Sequence, residues 1–489
     1  MTLAQFSLGA LVLIPLLAAA VAAVLPPTIR HWLGVGTGAV VIVLSLLVAD
    51  RTGVREVTEL VLGGYQAPLG IHLRADGLSV LFVVMTALVG MVVTVFAAAS
   101  RNTHQGFWSL WLGCWAGLNA VFVSGDLFNT YVGLELVGLT AVALVALGGR
   151  GSWAPALRYL FIAVLGSLLL LVGVGLLVSV TGTLDFDQAA GQLAARPEAA
   201  PAALLALALI TVGLCMKLAL LPMHAWLVPA HSAAPAAVSP LLSGLVIKAA
   251  LFVLLRCWLW LTSAELLAGL APLAWVLGVF GAAAVLIGSV LALRQNELKS
   301  LAAYSTIAQV GYWFLAFPLL LENDDAAEGA MIGIVAMALG HGIAKAAVFL
   351  GAGYLKEAYG TDQITDLRGA GRHHPYAVMG MGLGLVGLIG LPITLGFTGK
   401  WNLATAAVAA EHWWILLVLA AGTLLAAGYA VRVLAPLLLQ DSPTPGEARV
   451  SRNYRSVPGL CVLGLGVLTL LTGFGGVLVA QALEVGSPW

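Results

Sequence analysis

The sequence predicts an all-α membrane protein of about fourteen transmembrane helices, with two inverted five-helix repeats that contain broken helices. Three observations carry that expectation. Of 489 residues, 61% are hydrophobic and only 9% charged, with a strongly positive mean hydropathy, a mix outside the range of ordinary soluble domains. The apolar residues fall in runs long enough to cross hydrocarbon, which takes roughly 20 residues. Two of those runs, five apart, are interrupted by proline or glycine beside a lysine.

Runs bounded by charges, proline or glycine clusters place spans at 5–24, 32–49, 78–99, 106–124, 127–147, 154–180, 202–227, 236–260, 267–293, 301–321, 328–354, 376–401, 411–436 and 457–482. The first lacks a basic leader and a small-residue cleavage site, so it reads as a retained span and not as a signal peptide. Four units follow: 1–105 with three helices and an outer loop, 106–262 and 263–440 as the two five-helix halves, and 441–489 with the last helix.

Basic residues are divided unequally between the two sets of loops. The odd-numbered loops and their flanks hold 13: Arg30, Arg101, Arg150, Arg158, Arg294, Lys299, Lys356, Arg368, Arg372, Arg432, Arg449, Arg452 and Arg455. The other side holds five: Arg51, Arg55, Arg74, Arg196 and Arg256. The bias puts the odd loops in the cytoplasm and both termini outside, with the acidic run Glu322, Asp324, Asp325 and Glu328 on the outer side.

A net charge of zero excludes a nucleic-acid partner, which needs a basic face. The four cysteines, Cys114, Cys215, Cys257 and Cys461, lie in apolar runs without a CxxC pair. They read as small buried hydrophobes, and no cofactor or metal site is expected.

The remaining basic residues are the anomaly. Four of the six lysines, Lys217, Lys248, Lys345 and Lys400, lie inside or at the edge of apolar runs, where an ammonium costs roughly 2.5–3.5 kcal/mol on insertion scales. Glu135 stands about two turns into the fifth span, if Ser124 or Asp126 caps it. It is either a static partner that ties two helices together or half of a functional ion pair. Lys217 precedes Pro222, which removes a backbone donor and breaks the seventh span, freeing carbonyls near membrane depth. Lys248 lies mid-span among small residues, too deep to snorkel. His341 and Lys345, spaced i, i+4, share a helix face on which a proton can pass between them directly or through one water, unless they form only a polar helix contact. Lys400 closes a run with Gly390, Pro392, Gly396 and Gly399, the second interrupted segment. His224 and His231 either link Lys217 with Lys248 or cap the broken helix. Tyr304, Ser305, Thr306 and Gln309 either order water between the halves or make helix contacts. Gln295, Glu297 and Lys299 read as a solvated loop.

The segment from Ser124 to Leu136 (SGDLFNTYVGLEL), Lys217, and the stretch from His224 to Lys248 resemble the antiporter-like subunits shared by Mrp sodium/proton antiporters and respiratory complex I. The runs from Tyr304 to Gly311 and from Gly396 to Trp401 look like two further motifs of that superfamily, and the likeness extends along nearly the whole chain. The Asp126–Glu135 stretch and the length point to the D-type branch of the Mrp subunits.

The resemblance implies a fourteen-helix fold. In it Glu135 and Lys217 form the pair of the first half-channel, Lys248 relays protons laterally, and His341, Lys345 and Lys400 continue the route. It implies a proton-translocating subunit working with other membrane subunits, protons and a monovalent cation, in a bacterial inner membrane. The alternative is the proton-pumping membrane subunit of a redox-driven NADH-quinone oxidoreductase or membrane hydrogenase, or of an inorganic-carbon uptake complex. One departure stands out: the family has Pro-Asp in the seven-eight connection, where this chain reads from Trp226 through Val228 and Pro229 to His231.

Overall fold

The computed structural model describes residues 2–53, 56–65, 67–68, 70–100, 104–262, 264–439 and 456–487. Arg55, Arg101, Arg449, Arg452 and Arg455, used above for orientation, lie outside the described residues.

The apolar runs fold as helices because a backbone in hydrocarbon must satisfy its own hydrogen bonds. Helix α1 (Leu3–Val24) opens with a capping box of Thr2 and Gln5. Helix α2 (Pro27–Gly53) leads to a hairpin of β1 (Thr58–Val61) and β2 (His72–Ala75), paired antiparallel with Val61 opposite His72. Then come α3 (Gly77–Ala99), α4 (Phe107–Phe122), α5 (Leu127–Ala146) and α6 (Arg150–Thr181). A short amphipathic helix, α7 (Phe186–Ala195), precedes α8 (Ala200–Lys217), α9 (Leu227–Ala233) and α10 (Val238–Leu241). A π-turn at Leu242–Val246 runs into α11 (Ile247–Trp260), followed by α12 (Ala264–Gly269), α13 (Ala271–Leu293), α14 (Leu298–Phe314) and α15 (Asp324–Tyr359). The chain continues through α16 (Ala370–His373), α17 (Pro375–Ile389), α18 (Leu395–Ala409), α19 (Trp413–Leu438), α20 (Ser456–Leu471) and α21 (Gly476–Leu483).

Among the described residues, 12 helical segments are long and apolar enough to cross a membrane, and the chain is a multi-pass membrane protein. The expected spans 106–124 and 376–401 hold shorter apolar helices, Phe107–Phe122 and Pro375–Ile389, the second followed by α18 after a break.

Three segments are enclosed by the others: 100% of the most apolar stretch of Val238–Trp260 is buried, 94% of that in Asp324–Tyr359 and 89% of that in Leu298–Leu321, against 39% for the peripheral Arg150–Thr181. These three carry Lys248, His341, Lys345 and Ser305 along the protein's central axis.

Close helix approach rests on five reciprocal glycine crossings among the described residues, one of them between Gly244 of the π-turn and Gly342 of α15. A Cβ on Gly311 of α14 would stand 2.5 Å from the Gly281 carbonyl of α13, and one on Gly281 2.8 Å from that of Gly311. Gly117 and Gly133 bring α4 onto α5, Gly166 and Gly213 bring α6 onto α8, and Gly333 and Gly399 bring α15 onto α18 in the same mutual way. Packing of this kind replaces the hydrophobic drive that is missing between helices in lipid.

The hairpin marks one face of the protein. Gln5 donates to the Glu59 carbonyl at 3.1 Å and Gly77 N–H to the Val485 carbonyl at 3.0 Å, so the first and last described segments meet there. On the same face His72 is bonded through Nδ1 to Asp185 Oδ2 at 2.8 Å, and its N–H donates to Asp126 Oδ2 at 3.3 Å. Those aspartates are the N-caps of α7 and α5, so one histidine clamps the starts of two helices.

The Asp185 hydrogen bond raises the His72 pKa above its ordinary value despite burial. Burial pushes the Asp185 carboxyl up, but the His72 hydrogen bond and the Gln188 amide outweigh it and hold the group below the usual value. Burial raises that of Asp126. At the opposite face Arg30 donates to Gln105 O at 2.7 Å, Arg432 donates to Gln295 O at 3.2 Å, and Glu297 bridges Gln363.

Arg256, counted above with the loop charges, lies instead within α11. It makes a two-pronged bond to Asp76, the N-cap of α3, with the guanidinium 4.1 Å from the Trp260 ring. An apolar environment makes that pairing obligatory, so Arg256 says nothing about loop charge.

Candidate functional site

Asp126 Oδ1 accepts from Asn129 N at 2.6 Å, which starts α5 so that Glu135 lies two turns inside it. Lys217 is the last residue of α8, and its Nζ stands 3.4 Å from Glu135 Oε1, which also accepts from the Ser167 hydroxyl of α6. The Lys217 side chain is 10% exposed and that of Glu135 25%, so the pair sits at the rim of the molecule.

Beyond Lys217 the helix breaks. Ala219 adopts a left-handed φ of 54°, and Trp226 Nε1 reaches back to the Met216 carbonyl at 3.0 Å. That indole takes up one of the carbonyls that the break releases.

Lys248 follows the π-turn, whose extra residue pushes carbonyls out of the helical ladder. Its Nζ donates to the Ser243 carbonyl at 2.5 Å and lies 2.6 Å from His341 Nδ1. One turn along α15, Lys345 donates to Ser305 Oγ at 2.5 Å and to the Ala302 carbonyl at 2.7 Å.

Lys400 sits in α18 just after the second break, where Ile393 takes a left-handed φ of 71° and Thr394 caps the new helix. It donates to the Ile389 carbonyl, exposed by the end of α17, at 2.9 Å and to Thr423 Oγ1 at 3.0 Å, above the Tyr312 ring at 4.4 Å. Of these four lysines, Lys248, Lys345 and Lys400 hold carbonyl, hydroxyl and imidazole partners, and among the described residues Lys217 alone of the four meets a carboxylate. A cation held this way is bonded in either protonation state, since a neutral amine still donates to a carbonyl.

Several expectations need correction. His341 and Lys345 share a face but not a hydrogen bond: His341 turns to Lys248, and Lys345 to Ser305. Neither His224 nor His231 bonds to Lys217 or Lys248 among the described residues. His231 is buried and stacked on Phe349, with both ring nitrogens lacking partners there, and its charged neighbours are Lys345, Lys299 and Lys248. Tyr304 is partly exposed and Ser305 fully buried, so the two part company. Lys299 is no loop residue. It is 2% exposed on α14 and donates to the Ala234 carbonyl at 2.6 Å.

The signal for Lys299 was present, because it continues the helix face of Ala302, Thr306 and Gln309 backward by one turn. Ser167, one of three serines in the leucine-rich α6, had no signal at all.

Residues 124–426, the stretch that holds Glu135, Lys217, Lys248, His341, Lys345 and Lys400, match the family described as "NADH:quinone oxidoreductase/Mrp antiporter, TM". The chain belongs to that family. Among relatives in this NADH:quinone oxidoreductase/Mrp antiporter family, "NADH-quinone oxidoreductase subunit N" of Desulforudis audaxviator is 34% identical over 87% of this chain and 86% of its own length. The D-type subunit of the Na(+)/H(+) antiporter of Bacillus subtilis is 27% identical over 89% of this chain and 87% of its own.

Two solved structures share the fold. A chain of the Mrp complex from Dietzia superposes with a TM-score of 0.87 at 24% identity, over 100% of this chain and 98% of that one. A chain of respiratory complex I from Thermus thermophilus does so with 0.75 at 24% identity, over 97% and 98%.

Proposed function

We propose that this family member is the proton-translocating, antiporter-like membrane subunit of a multi-subunit cation/proton antiporter of the Mrp type. The observation that carries it is the 2.6 Å contact of Lys248 Nζ with His341 Nδ1, enclosed at the centre of the protein without a carboxylate. A hydrogen bond needs one donor and one acceptor. The two groups can share one excess proton, on the ammonium with a neutral imidazole accepting or on the imidazolium with a neutral amine accepting, and because a neutral amine also donates, the contact persists when that proton leaves.

Moving that proton moves a charge, and charges bias their neighbours. At an effective dielectric of 20, two charges about 4 Å apart interact by around 4 kcal/mol. Closing or opening the Glu135–Lys217 pair changes the field at Lys248, and Lys345 and Lys400 continue the route by the same means. The cation is monovalent, with sodium the first candidate.

The full architecture proposed is fourteen helices, with halves at 106–262 and 263–440 related as inverted repeats, preceded by 1–105 and followed by 441–489. The crossings support it: Gly117 on Gly133 corresponds to Gly281 on Gly311, and Gly166 on Gly213 to Gly333 on Gly399, each shifted by five spans. Both helix breaks also hold a left-handed residue, Ala219 and Ile393. Both termini are placed outside a bacterial inner membrane, in keeping with the basic residues of the opposite face. The partly exposed Glu135 at bilayer depth favours a neighbouring membrane subunit over lipid there.

A second reading has its own support: the complex I subunit N relative is 34% identical, against 27% for the B. subtilis antiporter relative. Purifying the native assembly separates the two. Small membrane subunits together with sodium-dependent proton flux in proteoliposomes support the antiporter, whereas co-purifying flavin and iron–sulfur subunits, with flux that requires NADH, would replace it.

A further inference from the structure

Between Lys345 and Lys400 the route has no acid: neither lysine is bonded to a carboxylate among the described residues. What lies between them is one face of α14. Ser305, Gln309 and Tyr312 are spaced i, i+4 and i+7, so they form a single stripe that climbs about 10 Å along the axis. Lys345 bonds the lower end at Ser305, and Lys400 stands over the Tyr312 ring at the upper end. In the middle, Gln309 Nε2 donates to the Leu388 carbonyl at 2.9 Å, one residue before the carbonyl that holds Lys400.

Helix α19 closes the other side. Tyr429 lies beside the Gln309 amide, and Thr423, which accepts from Lys400, lies beside the Tyr312 hydroxyl. Tyr312 is 1% exposed and Tyr429 0%, yet both hydroxyls lack a partner in hydrogen-bonding geometry. A Cβ on Gly422 would collide with both the Tyr312 hydroxyl and Val285 of α13, so the glycine lets α19 lie directly against that oxygen and the neighbouring helix. These two hydroxyls, with the Gln309 amide beside Tyr429 and Thr423 beside Tyr312, supply the two to four polar partners that a buried water requires.

We propose that Tyr312 and Tyr429, with Gln309 and Thr423, position the water through which a proton passes between Lys345 and Lys400. The proposal rests on those lysines being proton carriers. The bridging water accepts one proton as it releases another, so only the lysines change charge: Lys345 loses a proton and Lys400 gains one. The tyrosines are positioning residues, and the route needs no carboxylate because none of its intermediate groups holds charge for long.

The test uses the assembled complex in proteoliposomes, with proton flux driven by an imposed sodium gradient and measured in H2O and D2O. Tyr312→Phe with Tyr429→Phe keeps both rings, including the one that faces Lys400. Expected are a loss of flux of about tenfold or more and a solvent isotope effect larger than in the wild type, as proton transfer becomes limiting. Gly422→Ala, which crowds the Tyr312 hydroxyl together with Val285 while keeping both tyrosines, is expected to shift flux and isotope effect in the same direction. Wild-type flux in the double variant overturns the proposal. So does a fall in flux with an unchanged isotope effect, the mark of a packing role. Lys400→Ala in the same assay separates the levels: if it keeps full flux, the lysine route itself is wrong, and if it abolishes flux that the tyrosine variants keep, only the bridge fails.

Discussion

Lys248 Nζ and His341 Nδ1 stand 2.6 Å apart although 93 residues separate them in sequence, and both side chains are buried at the centre of the helix bundle. The contact joins α11 to α15 and, in the route proposed, gives the proton a place to reside away from any acid. Replacing His341 removes the acceptor, so His341→Ala is expected to cut proton flux by about 100-fold. His341→Gln, which restores a hydrogen bond but cannot carry a proton, should be no better. Flux measured in proteoliposomes checks this, and recovery in His341→Gln would reduce the histidine to a hydrogen-bonding prop.

The Glu135 carboxylate is held by Lys217 and by the Ser167 hydroxyl at the same oxygen. Ser167→Ala removes a hydrogen bond to a charged group, worth roughly 1.5–3 kcal/mol, and should weaken flux by about tenfold. The sequence did not single this serine out. A double-mutant cycle of Ser167→Ala with Lys217→Ala, read on flux, is expected to be non-additive by about 0.5–3 kcal/mol; strict additivity would mean that the three groups do not act together.

The His72 clamp makes stability depend on pH at the hairpin face. Because the folded His72 has its pKa raised above 6.5, its contribution is complete below the ordinary value and fades as pH rises through the folded value. Asp185, held below the ordinary carboxylate value, contributes above that value and loses its effect only as pH falls through its own lower pKa. The clamp is therefore strongest in mildly acidic solution. The Tm of the detergent-solubilised protein should fall between about pH 6 and pH 8, and His72→Gln should flatten that slope; an unchanged slope would place the titration elsewhere.

Ile393 is a β-branched residue in the left-handed region, with a φ of 71° and 58% exposure. Ile393→Gly relieves a strain of about 1–2 kcal/mol against a gain in unfolded-chain entropy of about 0.4–1 kcal/mol, so a stabilisation of roughly 0–1.5 kcal/mol is expected. Gly311→Ala, by contrast, sets a methyl 2.5 Å from a backbone carbonyl and should destabilise by about 1–3 kcal/mol. Denaturation of the two variants in detergent gives both signs at once.

The spans and the breaks were legible because bilayer depth imposes length, and proline or glycine beside a lysine imposes interruption. Lys217 before its break and Lys400 after its glycines could be placed by local rules alone, whereas the pairing of Glu135 with Lys217 came from the family resemblance. What escaped is what only a third helix supplies. Lys345 was matched to His341 because they are neighbours on one helix, whereas the partners come from Lys248 on α11 and Ser305 on α14. Arg256 looked like a loop charge because its mate Asp76 is 180 residues away. Lys299 was set outside the membrane by a hydropathy boundary that α14 ignores. A basic side chain and its distant acceptor leave no periodic trace in a sequence.

The central claim is that the excess proton crosses the buried Lys248–His341 contact. Its most direct test is proton flux through proteoliposomes that contain the fully assembled complex with Lys248→Ala, compared with wild type at equal protein content. Flux should be abolished while assembly is retained; flux at the wild-type rate would mean that the proton travels by a path that does not include this lysine.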